Sequence, residues 1–314
     1  MQGRTAIIGA GLSGLTAAAA LDAAGRAVTV FDKSRGVGGR LATRRTGSPA
    51  GELSFDHGAP CATGADPAFL DWLAELGATT RGDAAWGRPG MSALLRPVAQ
   101  RLDLRAGAEV AAIRPASGGW TLAGADGAAL GAFEAVILAI PAPQALRLLP
   151  KGTADAAAIS AVRMAPAWTL LAAFETPLDT PDLVEAAGAI ARAERQSSRP
   201  GRPSGDRAGP DAWVVQFTPA FTRATLEQEK DAILPDLLQQ FADVVGPLPS
   251  TVHAAAHRWR YARTEVPLGA PFAGDAAAGL LAGGDWALGP DALHAWQSGQ
   301  AMARALLSDA GESG

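Results

Sequence analysis

Six residues, Gly9-Ala10-Gly11-Leu12-Ser13-Gly14, separate an apolar, β-branched run from an Ala/Leu-rich one. No other feature of the chain leaves so few folds open. Residues 5–8 read as a buried strand, and residues 12–24 as a helix of strong helix formers stopped by Gly25. Residues 27–31 read as the next strand. That order, β-α-β in about 30 residues, is the parallel unit of a doubly wound sheet. The spacing G-x-G-x-x-G gives each glycine a task. Gly9 makes the tight turn, Gly11 lets the backbone approach a pyrophosphate, and Gly14 lets the helix pack on the strand. The helix N-terminus then offers N–H groups and the positive end of its dipole to phosphates, with Leu12 and Ser13 in its first turn. Asp32 ends the second strand, where a carboxylate accepts hydrogen bonds from an adenosine ribose.

The rest of the chain has room for a second unit, because 314 residues fit one large domain or two moderate ones. Hydrophobic residues are 48% and charged residues 18%, which excludes a disordered chain. A net charge of -4 argues against a nucleic-acid binder. The single cysteine, Cys61, allows neither an internal disulfide nor a Cys-based zinc site and points to a reducing compartment, the cytoplasm. Residues 5–21 are apolar behind Arg4, but three glycines interrupt them and Asp22 follows, so they are not read as a signal peptide. No run reads as a membrane span.

Farther along, residues 67–76, 91–102 and 226–245 have helical spacing, and Asp126-Gly127 marks a hairpin. Residues 135–140 read as a buried parallel strand. Residues 196–211 read as a surface loop. The end of the chain returns to the opening pattern: strand 279–282, Gly283-Gly284, then a helix over residues 290–307. The expected fold is α/β, a discontinuous Rossmann-like FAD-binding domain with an inserted α+β substrate domain. The first covers residues 1–60, 96–150 and 275–314, and the second 61–95 and 151–274.

Two further glycine pairs favour FAD over NAD. Gly38-Gly39-Arg40 lies close behind Asp32, where a planar guanidinium can neutralise pyrophosphate charge. Gly284-Asp285 follows the last strand, where Asp285 can hold a ribitol hydroxyl and the next helix can aim its N-terminus at the flavin pyrimidine edge. A simple NAD dehydrogenase needs no such third element.

The run Phe31-Asp32-Lys33-Ser34-Arg35-Gly36-Val37-Gly38-Gly39-Arg40 resembles the fingerprint of the renalase family, within the amine-oxidase-like FAD superfamily. Phe55-Asp56-His57-Gly58-Ala59, Pro89-Gly90-Met91-Ser92, Phe174-Glu175-Thr176-Pro177-Leu178, Gly284-Asp285-Trp286 and Ala295-Trp296-Gln297-Ser298-Gly299 resemble it too, in order along nearly the whole chain. The resemblance implies non-covalent FAD and oxidation of 2- or 6-dihydro isomers of NAD(P)H to NAD(P)+. Hydride would pass to the flavin, and dioxygen would leave as hydrogen peroxide. It places Gly9, Gly11, Leu12, Ser13, Gly14, Asp32, Lys33, Gly39, Arg40, Leu41, Gly58, Ala59, Val110, Gly284, Asp285 and Ala292 around the cofactor. The chain departs from the family in three places. Pro290-Asp291-Ala292-Leu293-His294 lacks the family's Arg and Glu, Cys61-Ala62 replaces an aromatic pair, and the segment between Leu76 and Trp86 is short.

Hydride transfer depends on position more than on an acid or base. Trp259 and Trp286 are candidate flat walls for a nicotinamide ring, although each also reads as core. His257 is a candidate for orienting the substrate, and it also reads as structural. His253 and His257 are spaced as on metal-binding helices, but no third ligand accompanies them, so no metal is expected. A true amine oxidase is the first alternative, weakened because Lys33, Lys151 and Lys230 are the only lysines and Tyr261 the only tyrosine. Another small-molecule FAD oxidoreductase and a non-catalytic FAD-binding protein remain open. The expected partners are a small molecule and dioxygen, with neither nucleic acid nor membrane.

Overall fold

A strand covered on both faces reads as an unbroken apolar run, and the runs at residues 5–8, 27–31 and 135–138 meet at the centre of one sheet. The computed structural model describes residues 3–48, 51–151, 154–200 and 209–312. Its main elements are β1 (Arg4–Ile8), α1 (Leu12–Ala23), β2 (Ala27–Asp32), β3 (Thr43–Ser48), β4 (Gly51–Asp56), β5 (Asp103–Ala106), β6 (Ala135–Leu138), β7 (Arg163–Phe174), β8 (Leu183–Ala187), β9 (Ile190–Arg195), β10 (Asp211–Phe217), α2 (Lys230–Val245), β11 (Thr251–Val266), β12 (Ala273–Asp275), β13 (Leu280–Ala282) and α3 (Ala292–Glu312).

The first sheet has the order β12-β13-β6-β1-β2-β5. β1 lies parallel to β2 and β6, β6 to β13, and β2 to β5. Segments from the start, middle and end of the chain therefore share one sheet, parallel except for its antiparallel edge strand β12, which is the discontinuous Rossmann-like unit expected. α1 packs between that sheet and α3, which explains why its Leu and Ala residues are buried nearly all round.

The second sheet is antiparallel, in the order β8-β9-β10-β7-β11. Side chains alternate between its faces. Trp168, Leu170, Phe174, Trp213, Val215 and Phe217 face α2 and pack on Ile233, Leu237 and Phe241. Leu171, Ala173 and Val214 face the other way and meet Leu53 and Phe55 of β4.

Three expectations need correction. Residues 61–95 were expected in the substrate domain, yet Phe69, Leu73, Ala85, Met91, Leu94 and Leu95 pack into the core of the first unit with Ile7 and Leu15. Their helical spacing gave an apolar face but not the partner that face would choose. The loop expected over residues 196–211 has buried ends: Gln196, Arg199 and Asp211 are each less than a tenth exposed. Residues 201–208 of it lie outside the described residues. The last helix begins at Ala292 rather than Pro290, after a single turn over Asp285–Leu288.

The α1–α3 contact is close enough to test. A Cβ at Gly299 would collide with the Ser13 carbonyl and stand 2.9 Å from Thr16 Cβ, whereas one at Gly36 would meet nothing within 4 Å. Gly299→Ala is expected to cost about 1–3 kcal/mol, the usual range for overpacking, and Gly36→Ala almost nothing. Urea denaturation of both variants measures this, and equal midpoints would contradict it.

Candidate active site

The opening turn is shaped by what a side chain would hit. At Gly9 the backbone has φ +112° and a Cβ would collide with the Ala139 carbonyl; at Gly14 it would collide with the Gly9 carbonyl. At Gly11 nothing lies within 4 Å, so the space above the turn is open. Gly11 sits at the N-cap of α1 without a side-chain cap, leaving the first-turn N–H groups to an incoming anion. The second glycine pair lies against the first: Gly38 donates its N–H to the Ala10 carbonyl at 2.9 Å, and the exposed Gly39 stands over Gly11. Asp32 fastens the turn by accepting from the Ala10 N–H and the Ser34 N–H, both at 2.7 Å, and remains partly exposed. Val110 is brought close because the Ala108 N–H bonds the Asp32 carbonyl at 2.9 Å. This open, glycine-lined cradle beside a carboxylate fits a dinucleotide.

Some expected contacts are altered. Ser13, expected as a donor on the phosphate side, stands in the first turn of α1 with its Oγ buried and without a hydrogen-bond partner. Leu12 and Leu41 are buried and contribute packing, while Lys33 is exposed.

Arg40 and Asp285 were expected to touch pyrophosphate and ribitol separately, whereas the structure joins them to each other. Arg40 Nη1 donates to Asp285 Oδ2 at 2.8 Å and to the Ala262 carbonyl at 3.1 Å, and Nη2 pairs with Oδ1. Thr264 Oγ1 donates to the same Asp285 Oδ2 at 2.9 Å. The cause is burial: the Asp285 side chain is 4% exposed, and a carboxylate that dry needs a cation. Burial alone would lower the Arg40 pKa, but the charge and hydrogen bonds of Asp285 prevail and raise it. The neighbouring Gly284 N–H is held by Ser298 Oγ at 3.0 Å, and Ala292 opens α3 close by. Gly58 and Ala59 close the same corner. A Cβ at Gly58 would collide with the Arg40 carbonyl, which also accepts the Ala59 N–H at 2.7 Å.

Beside Gly58, His57 at the end of β4 meets His257 and Trp259 of β11 in a cluster of three rings. His57 stacks on Trp259 with centroids 5.3 Å apart and meets His257 edge-on at 4.6 Å; His257 and Trp259 are 4.5 Å apart. Trp259 Nε1 donates to the His57 carbonyl at 2.9 Å, and Gln216 Nε2 donates to the Gly58 carbonyl. Two consecutive carbonyls are thus held from the substrate sheet. His257 and Trp259 were expected to act together, and His57 was overlooked as a participant, although its place beside Gly58 was the available signal. Trp286 does not join them. It is fully buried, with its indole N–H on the Ile140 carbonyl at 3.0 Å, so its face is covered by protein and forms no wall. His253 stacks on Phe55 instead. Among the described residues no group of three His, Cys, Asp or Glu is placed to hold a metal.

Burial pushes His57 down to about 4, aided by Arg44 against opposing backbone carbonyls, and pushes His257 down to about 3, aided by His57, Lys230 and Arg44. Both imidazoles are neutral at pH 7. All three lysines are exposed.

A pH dependence follows. The unfolded imidazoles take protons below about pH 6.5 while the folded ones resist. Their stabilising effect is complete above that pH and is lost as pH falls toward the folded values of about 4 and about 3. Between pH 8 and pH 5, His57→Gln should lose about 2 kcal/mol less stability than the parent. Urea titrations at the two pH values test this, and parallel losses would refute it.

Two family models match the chain. A NAD(P)-binding Rossmann-like domain covers residues 7–76, and flavin containing amine oxidoreductase covers residues 78–307. A candidate protoporphyrinogen oxidase from Exiguobacterium sp. 255-15 shares the fold with a TM-score of 0.76 at 12% identity, over 98% of this chain and 99% of that one. Wild-type putrescine oxidase bound to putrescine gives 0.68 at 14% identity, with the same coverage. A putrescine oxidase variant redesigned in cofactor binding gives 0.70 at 15%, again with 98% and 99% covered. At such identities the likeness speaks to fold, but the second family match spans most of the chain, and on that ground the chain belongs to the flavin containing amine oxidoreductases and uses a flavin cofactor.

Proposed function

We propose that the chain holds FAD non-covalently and oxidises a reduced nicotinamide dinucleotide of the 2- or 6-dihydro type by hydride transfer, as renalases do. The observation that carries this reading is the neutral ring cluster of His57, His257 and Trp259 beside Gly58. A dihydronicotinamide ring is flat and uncharged. It gains from a flat, dry wall and needs no base, because a hydride leaves with its electron pair. Imidazoles held neutral well below pH 7 suit that role better than one requiring a charged group.

When bound, flavin supplies a two-electron acceptor that dioxygen reoxidises, giving hydrogen peroxide. The chain's own part is placement. Gly11 and the α1 N–H groups would receive the pyrophosphate, Asp32 the adenosine ribose and Asp285, from within its pair with Arg40, the ribitol chain. Trp259 and Gln216 fix the carbonyls of His57 and Gly58 and so set the wall's distance from the cofactor.

A second reading, oxidation of an amine, is favoured by the family and by the fold shared with putrescine oxidase. Against it stand the exposed lysines and the absence of a tyrosine pair.

Anaerobic mixing with borohydride-generated dihydro-NAD isomers should bleach the flavin band at about 450 nm, and air should restore it with release of peroxide. Ordinary NADH and benzylamine should leave it unchanged. Bleaching by benzylamine would transfer the assignment to amine oxidation, and a flavin that none of these reduces would end the nicotinamide reading.

A further inference from the structure

Strand β3 brings a cation to the ring cluster. In the hairpin of β3 and β4, Arg44 stands opposite Phe55, and residues paired across an antiparallel ladder share a face. That face is the one on which Phe55 meets Leu171, Ala173 and Val214 of the second sheet. His57 follows Phe55 by two residues, so Arg44 lies one diagonal step from it, within reach of a long side chain. From the other side Phe55 stacks on His253 with centroids 5.5 Å apart. His253, His257 and Trp259 occupy one face of β11, opposite Ala173, Thr169 and Ala167. Arg44 is thus set at the edge of the surface that carries the rings.

Its neighbour on β3 is placed otherwise. Arg45 lies on the opposite face and pairs at 3.7 Å with the exposed Glu52. Arg44 is exposed, and no ion pair or hydrogen bond engages its guanidinium among the described residues. Its field nevertheless points inward. Burial lowers the pKa of His57, His257 and His253, and the positive charge of Arg44 lowers all three further. Lys230, which opens α2, adds to this at His257, and Asp56 opposes it at His57. The Asp56 carboxylate is buried on the other side of the hairpin, where it accepts from Thr43 Oγ1 and from the Met91 N–H at 3.0 Å. A ring on the cluster therefore meets neutral imidazoles with an unpaired guanidinium at their edge.

We propose that Arg44 selects substrates by charge: it receives an anionic group, carboxylate or phosphate, on the molecule whose ring lies against His57 and Trp259, and it turns an ammonium away. A guanidinium meets either anion with two parallel N–H donors, whereas an ammonium in the same place opposes a like charge. That a flat ring docks on this cluster rests on the reaction proposed above; the preference for an anion rests on Arg44 alone.

Calorimetric titration of the holoprotein at pH 7 with benzoate, phenyl phosphate, benzyl alcohol and benzylamine keeps the ring and varies the charge. The better of the two anions should bind about tenfold more tightly than the amine, the equivalent of one charge-assisted hydrogen bond. Which anion leads tells whether Arg44 receives a carboxylate or a phosphate. The advantage should shrink as salt is raised. Arg44→Gln should erase it and Arg44→Lys should keep part of it. Arg45→Gln, the same loss of charge on the opposite face, should keep all of it. Equal or inverted affinities in the parent, no heat from any probe, a preference that survives Arg44→Gln, or an equal loss in Arg45→Gln would overturn the assignment. Dihydro isomers that bleach the flavin of a protein without this preference would leave the reaction standing and remove the role of Arg44. The preference without bleaching would do the reverse.

Discussion

The pair between Arg40 and Asp285 is the constraint on which the rest of the site depends. Its members lie at opposite ends of the chain, one behind the opening glycine turn and one at the end of the last strand of the parallel sheet. β11 of the substrate sheet reaches the same point, through the Ala262 carbonyl on Arg40 and Thr264 on Asp285. A carboxylate as dry as Asp285 cannot remain charged without a cation, and a planar guanidinium fills both of its oxygens at once. Three segments far apart in sequence are drawn to one corner by that requirement. Gly58 then packs on the Arg40 backbone so closely that only glycine fits. The order of dependence runs from ion pair to backbone corner to ring cluster.

The ring cluster is built on that corner. His57 follows directly on the strand that ends at Asp56, and its carbonyl and that of Gly58 are bonded by side chains of β11 and β10. Their positions thus follow the substrate sheet, while Ala59 follows Arg40. Movement between sheet and nucleotide unit would have to break one of these bonds. With both imidazoles held neutral, the surface they form with Trp259 offers shape and dispersion rather than charge, which is what the proposed flat, uncharged substrate ring would need.

Much of the nucleotide half was legible in the sequence because its information is local. Gly9 and Gly14 have separate steric tasks within six residues, each met where the spacing placed it, and the space at Gly11 between them is open. The substrate half was less legible because its decisive facts are pairings. Arg40 and Asp285 were each recognised as cofactor-side residues, but nothing local says that they satisfy one another. Trp286 and Trp259 are equally aromatic in sequence, and only the register of the sheets buries one and leaves the other beside His57. Residues 61–95 carried a correct helical face at Phe69 and Leu73, yet that face has no address until the first core forms around Ile7 and Leu15. Local patterns specify what a segment is, and tertiary packing decides what it touches.

This division bears on how activity can diverge within the family. The cofactor half is governed by steric rules that allow few substitutions, since a Cβ at Gly9, Gly14 or Gly58 collides with backbone. The second sheet is governed by alternation along strands and by buried ion pairs such as Glu194 with Arg192 and Arg199, where removing one member leaves a charge without its partner. Exchanges in the cofactor corner and in the second sheet are thus limited by different rules, steric in one and charge pairing in the other.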